Sequence, residues 1–145
     1  MRIVTGSDHA GFVLKQDLVG WLKEQGHEVV DKGTAVAERC DYPDYAAPVA
    51  QAVVSGEADW GLLVCGTGIG MSMSANKVHG IRAAVVSDAF SARATRLHNN
   101  ANILCMGERV VGAGLAREIL TAWLDASYEG GRHQGRIDKM MALES

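Results

Sequence analysis

A chain of 145 residues is long enough for one domain with a substantial core, and 48% hydrophobic with 21% charged residues excludes intrinsic disorder. A net charge of −3 argues against a general nucleic-acid surface, which needs a basic face, while leaving room for a local basic cluster that holds one small anion. No apolar run approaches the ~20 residues that cross a bilayer, and the first residues run straight into a strand pattern, so a cytoplasmic location is expected.

Arg2–Gly6 reads as the first strand. Gly11–Gln25 follows as a helix, with Leu14, Leu18, Trp21 and Leu22 at helical spacing and Gly26 as its stop. His27–Asp31 is a short second strand. A loop through Cys40 and Asp41 leads to Pro43, which suits a helix's first turn, and Tyr45, Val49, Ala52 and Val53 make that helix's apolar stripe as far as Gly56. Trp60–Cys65 is a continuous apolar run, the pattern of a strand covered on both faces of a parallel sheet. Small residues from Gly68 to Asn76 predict a helix start packed close to the sheet, and Ile81–Val86 predicts a fourth strand. Ser87 or Asp88 caps a helix through Leu97, Asn102–Met106 is a fifth strand, and Gly114–Leu124 is a helix with Leu115, Ile119, Leu120, Trp123 and Leu124 inward. After a glycine-bounded basic segment comes a last helix carrying Ile137, Met140 and Met141. Strands alternating with helices predict an open, all-parallel, five-stranded α/β sheet in a single domain spanning residues 1–145. The last helix has little chain left to pack against, so its apolar face is expected to meet a second subunit.

Ligands of open α/β sheets collect beyond the carboxyl ends of the strands. The reactive groups that follow strands are Asp8 and His9, then Cys65 with Gly66-Thr67-Gly68-Ile69-Gly70, then Ser87 and Asp88, and Arg109 after the fifth. His98 and Asn99 end the fourth helix. Glycines after Cys65 let the backbone approach a ligand, and the amides of a helix start point toward an anion. The positive end of the helix dipole favours a thiolate at Cys65. A tight turn beside an inert buried cysteine would look the same in isolation. A dinucleotide fingerprint fits poorly: Gly66, Gly68 and Asp88 match, but the third glycine position is Met71, and the loop follows the third strand instead of the first. Arg132 and Arg136 are four apart and would share a helix face able to grip one phosphate, unless Gly135 breaks that helix. Without such a role, Arg132, His133 and Arg136 would be a solvated basic face. Cys40 and Cys105 read as structural, and three widely spaced cysteines suggest neither a disulfide framework nor a zinc site. The three tryptophans, Trp21, Trp60 and Trp123, read as packing residues.

Several segments in this order carry a resemblance: Ser7-Asp8-His9-Ala10-Gly11-Phe12, Asp41-Tyr42-Pro43, Cys65 to Gly70, Ser74-Ala75-Asn76-Lys77, His98-Asn99-Asn100, Gly107-Glu108-Arg109-Val110-Val111 and Tyr128 to His133. Over nearly its whole length the chain resembles the type B ribose-5-phosphate isomerases, a family shared with allose- and galactose-6-phosphate isomerases. The resemblance implies a Rossmann-like sheet and a homodimer, in some members paired into a tetramer. It also implies active sites between subunits, with no metal and no organic cofactor. It places His9, Arg109, Arg132 and Arg136 around the substrate phosphate, His98 at ring opening, and Asp8, Tyr42 and Asn99 along the sugar. One branch of the family takes a glutamate just after the loop as its base; Met71 stands there in this chain, so Cys65 is the base of the other branch. The expected reaction moves a proton between C2 and C1 through a cis-enediolate, with Gly66, Gly68, Ile69 and Gly70 stabilising the oxyanion and the Thr67 hydroxyl nearby. Five- and six-carbon sugar phosphates share this chemistry; the cysteine and the arginine pair favour ribose 5-phosphate. A dinucleotide-dependent oxidoreductase and a non-catalytic sugar-phosphate sensor are the other classes.

Overall fold

The computed structural model describes residues 1–144. Strands β1 (Arg2–Ser7), β2 (Glu28–Asp31), β3 (Trp60–Cys65), β4 (Ala83–Val85) and β5 (Ile103–Gly107) form one sheet in the order β2-β1-β3-β5-β4. Every neighbouring pair is parallel. Six helices cover it: α1 (Phe12–Glu24), α2 (Pro43–Val54), α3 (Ile69–Ala75), α4 (Ala89–Asn99), α5 (Ala113–Asp125) and α6 (Arg132–Met141). The expected open parallel α/β sheet is the one observed.

The period of two along each strand sorts side chains between two cores. Ile3, Leu62, Val64, Leu104 and Met106 pack on one face, against Leu14 and Leu18 of α1 and Ile119, Leu120 and Trp123 of α5. Val4, Leu63, Cys65, Ile103 and Cys105 pack on the other, against Ala46 and Val49 of α2 and Met71 and Ala75 of α3. Cys65 therefore leaves the sheet on the α2–α3 side. The tryptophans are packing residues, as the sequence suggests: Trp60 and Trp123 meet edge to face at 5.6 Å, and the Arg96 guanidinium lies 3.5 Å from the Trp60 ring centre.

Element ends differ from the sequence pattern where side chains take over backbone hydrogen bonds. The fourth strand is shorter than Ile81–Val86 because Asn102 and Asn76 intervene. Asn102 Oδ1 accepts the Arg82 N–H at 2.8 Å, and Asn76 takes both backbone groups of Ala83 (Oδ1 from N–H at 2.8 Å, Nδ2 to C=O at 3.0 Å). That clasp also blunts an exposed sheet edge. The first helix begins with a 3-10 turn, His9–Gly11, because Asp8 Oδ1 accepts from the N–H groups of Ala10 and Gly11 at 3.0 and 3.1 Å. Asp88 caps α4, accepting the Ser91 N–H at 2.6 Å.

One ion pair fixes the outer strand. Lys15 of α1 is fully buried, and its Nζ donates to Asp31 Oδ1 at 2.9 Å, to Asp31 Oδ2 at 3.1 Å and to the Thr34 carbonyl at 2.7 Å. Removing one partner of such a pair strands a charge in the interior. Asp31→Asn is expected to lower unfolding free energy by about 3 kcal/mol, at the lower end of such losses because the carboxylate is partly exposed. Equilibrium urea denaturation measures it.

Candidate active site

From β1 the chain passes to β2 on one side, while β3 pairs with β1 on the other, so the sheet's topological switch lies between β1 and β3. Ser7 and Val64 pair in register, which brings the segments leaving these two strands side by side. A cleft of about 450 Å³ opens there, walled by Asp8 and His9 from β1, Cys65 and its glycine loop from β3, Arg109 from beyond β5, and Tyr42 from the start of α2. Two apolar side chains, Ile69 and Met73 of α3, complete the rim.

Cys65 is 5% exposed, and its sulfur accepts the Gly68 N–H at 3.1 Å. Gly68 can present that amide because it lies in the left-handed region, with φ of 81°. Thr67 Oγ1 accepts from the Ile69 N–H at 3.2 Å. The loop is held from below: the carbonyls of Cys65 and Gly66 accept from the N–H groups of Glu108 and Arg109 at 2.9 and 3.1 Å. Gly107 makes the approach possible, since a Cβ there would stand 2.6 Å from the Thr67 carbonyl carbon. The Tyr42 ring lies against Gly70, 2.6 Å from where a Cβ would stand, so a side chain at 70 would push the ring aside. The Arg109 guanidinium lies beside Gly66. Glu108 does not enter the cleft; its Oε1 accepts the Leu14 N–H at 2.7 Å and ties β5 to the start of α1.

His9 Nδ1 accepts the Cys40 N–H at 3.2 Å, so a neutral ring carries its proton on Nε2. Sequence reasoning gave Cys40 no part in the site, and nothing local signals a contact between residues 31 apart in the chain. Cys105 is fully buried, and burial, then the neighbouring Cys65, pushes its thiol pKa up, so it is inert, as its strand position suggests.

The remaining expected residues lie elsewhere. Helix α4 leaves the carboxyl end of β4 and returns to the amino end of β5, so His98 and Asn99 sit at the edge of the sheet opposite Cys65. There they line a second cleft of about 280 Å³ with Arg136, His133, Ile137 and Met140. Arg132 and Arg136 are one turn apart on α6, so Gly135 does not interrupt the helix that pairs them. His133 is a residue that sequence reasoning left within a basic face. It is 5% exposed and stacks on His98 with ring centres 4.6 Å apart. Burial, then Arg132 and His98 beside it, lowers its pKa and favours the neutral ring. The described part of one chain thus divides the expected residues between two clefts: thiol, loop, Asp8, His9, Tyr42 and Arg109 in one; His98, Asn99 and Arg136 in another, with Arg132 beside it.

Residues 3–140 match the family model described as Ribose/Galactose Isomerase. The chain belongs to the ribose/galactose isomerase family. Within this family it is 54% identical to ribose-5-phosphate isomerase B of Escherichia coli K12 over 143 residues, 99% of this chain and 96% of that protein. It is also 54% identical to a putative sugar phosphate isomerase of Bacillus subtilis, over 99% of this chain and 97% of that one. Among solved structures, the ribose-5-phosphate isomerase B of Clostridium thermocellum superposes with a TM-score of 0.98 at 52% identity, covering 99% of this chain and 97% of that one. The family resemblance carried by the sequence motifs is therefore correct, and the fold is the family's fold.

Proposed function

We propose that this chain interconverts ribose 5-phosphate and ribulose 5-phosphate through a cis-enediolate, with Cys65 as the base. The observation that carries the reading is the Cys65 sulfur at the mouth of the switch-point cleft, held by the Gly68 amide. The names borne by relatives of more than half identity support the substrate.

In this reading the Cys65 thiolate, with the Gly68 N–H donating to it, takes the proton from C2 and returns it to C1. Over the whole reaction the O2 hydroxyl proton passes to O1, so aldose and ketose balance. Gly68 N–H donates to the Cys65 sulfur and Ile69 N–H to Thr67 Oγ1, which leaves the Thr67 hydroxyl proton and the N–H groups of Gly66 and Gly70 as the donors for the enediolate oxygen. Asp8 uses Oδ1 for its turn and has Oδ2 for a sugar hydroxyl. Tyr42 and Asn99 line the sugar, and His98 moves the proton that opens the ring. His9 through Nε2–H, with Arg109, Arg132 and Arg136, holds the phosphate.

His98, Asn99, Arg132 and Arg136 lie away from the Cys65 cleft of their own chain, which supports a homodimer whose sites take the thiol half from one copy and the α4–α6 half from the other. The exposed apolar side chains Ile69, Met73, Val85, Phe90 and Met140 supply surface for such a contact. Arg136→Ala is expected to raise KM for ribose 5-phosphate roughly ten- to a hundredfold with kcat much less affected, as for loss of one charge-assisted contact to a remote phosphate. Steady-state kinetics decide it, and an unchanged KM removes Arg136 from the phosphate site. Turnover with ribose, allose and galactose phosphates side by side, without added cofactor, tests the substrate; a preference for a six-carbon sugar, or no turnover at all, rejects the assignment.

A further inference from the structure

His98, Glu129 and His133 present one ligand atom each within 4.8 Å of one another. His98 Nε2 is 3.6 Å from Glu129 Oε1, and His133 Nε2 is 3.8 Å from Glu129 Oε2. Both separations are too long for a hydrogen bond. His133 Nε2 is buried and has no hydrogen-bond partner among the described residues, an unsatisfied atom that faces the other two groups. Backbone bonds place two of the three groups: Glu129 N–H donates to the Leu97 carbonyl near the end of α4 (3.1 Å), and His133 N–H to the Gly130 carbonyl just before α6 (3.2 Å).

We propose that His98, Glu129 and His133 form an inhibitory site for a divalent transition-metal ion, zinc above all, with the two Nε2 atoms and one carboxylate oxygen as ligands. Two imidazoles and a carboxylate with a position left open are a ligand set that suits this ion. Bonds of about 2.0–2.1 Å bring ligand atoms to within about 3.5 Å of each other, so the groups close by roughly an ångström. Because a bound ion lies in the plane of each imidazole, the His98 ring must also turn out of its stack on His133; the side chains of His98 and Glu129 are nearly half exposed, which leaves room for that turn. Arg132 and Arg136 beside the site weigh against any divalent cation, so binding must come from the bonds to nitrogen, and two imidazole ligands favour zinc over calcium and magnesium, which prefer oxygen. The ion is no cofactor: it occupies the ring nitrogen through which His98 passes a proton, and this inhibitory consequence rests on the role proposed for His98 above.

Cobalt(II) reports the site directly. The chelator-treated full chain is expected to develop a visible d–d absorption band that saturates at one cobalt per chain and is displaced by zinc. His133→Asn should abolish the band, and Glu129→Gln should weaken cobalt binding tenfold or more. Zinc should inhibit ribose 5-phosphate turnover, reversibly with EDTA. No band, the same titration in both variants, or a near-ultraviolet sulfur–cobalt band that places the ion on a cysteine would each overturn the site. Cobalt binding with undiminished turnover overturns the inhibition. The cobalt titration needs no substrate, so an enzyme inactive on ribose 5-phosphate before metal is added counts against the proposed function and leaves the metal site standing.

Discussion

Cys65→Ala is expected to lower kcat for ribose 5-phosphate by about three orders of magnitude while KM stays near its wild-type value. A positioned base contributes on the order of 10²–10⁴ in rate, and no other thiol can take its place. Cys105 is sealed in the sheet, and Cys40 stands in a loop where its backbone serves His9. Affinity should survive, because in the proposed site other groups hold the phosphate and the loss falls on the chemical step. Circular dichroism should report an intact fold. A variant that retains wild-type kcat shows that the proton moves elsewhere. Cys65→Ser is the informative companion, since it keeps an oxygen where the Gly68 N–H expects an acceptor but replaces the thiol with a far weaker acid.

Cys65→Ala and His98→Asn, each expected to be inactive alone, should together regain about a quarter of wild-type activity when unfolded in one mixture and refolded at equal concentration. In the proposed dimer with shared sites, random pairing would make about half of the pairs mixed, each with one site holding both residues intact and one holding neither. The expectation follows from geometry: β3 delivers Cys65 to one edge of the sheet, and α4 runs back to deliver His98 to the opposite edge. If one chain built a whole site, mixing would recover nothing. Activity assays on the mixture against each variant refolded alone give the answer.

Much of the fold was legible because buried parallel strands read as unbroken apolar runs, Trp60–Cys65 above all, and the helices between them keep their period. Strand order was not legible. Nothing in the local pattern says that β5 inserts between β3 and β4, because pairing depends on how crossovers pack. The fourth strand read long because its apolar residues continue past the point where Asn76 and Asn102 capture the backbone. In the candidate site, the Cys65 half could be read from residues that directly follow strands. His98 and Asn99 end a helix instead, and a helix that follows a strand ends at the sheet's other edge. His133 was hidden by its neighbours: between two exposed arginines, its sequence gives no sign that the ring is buried against His98.

The contact between Gly107 and the loop sets a limit on how this chain can diverge. The backbone of Thr67 rests where the first carbon of a side chain at 107 would have to stand. Position 107 is thus closed to all other residue types although it lines neither cleft. Positions that do touch the proposed sugar have room to trade one polar group for another, so a lineage can change its substrate at the walls while the floor beneath the loop cannot drift at all.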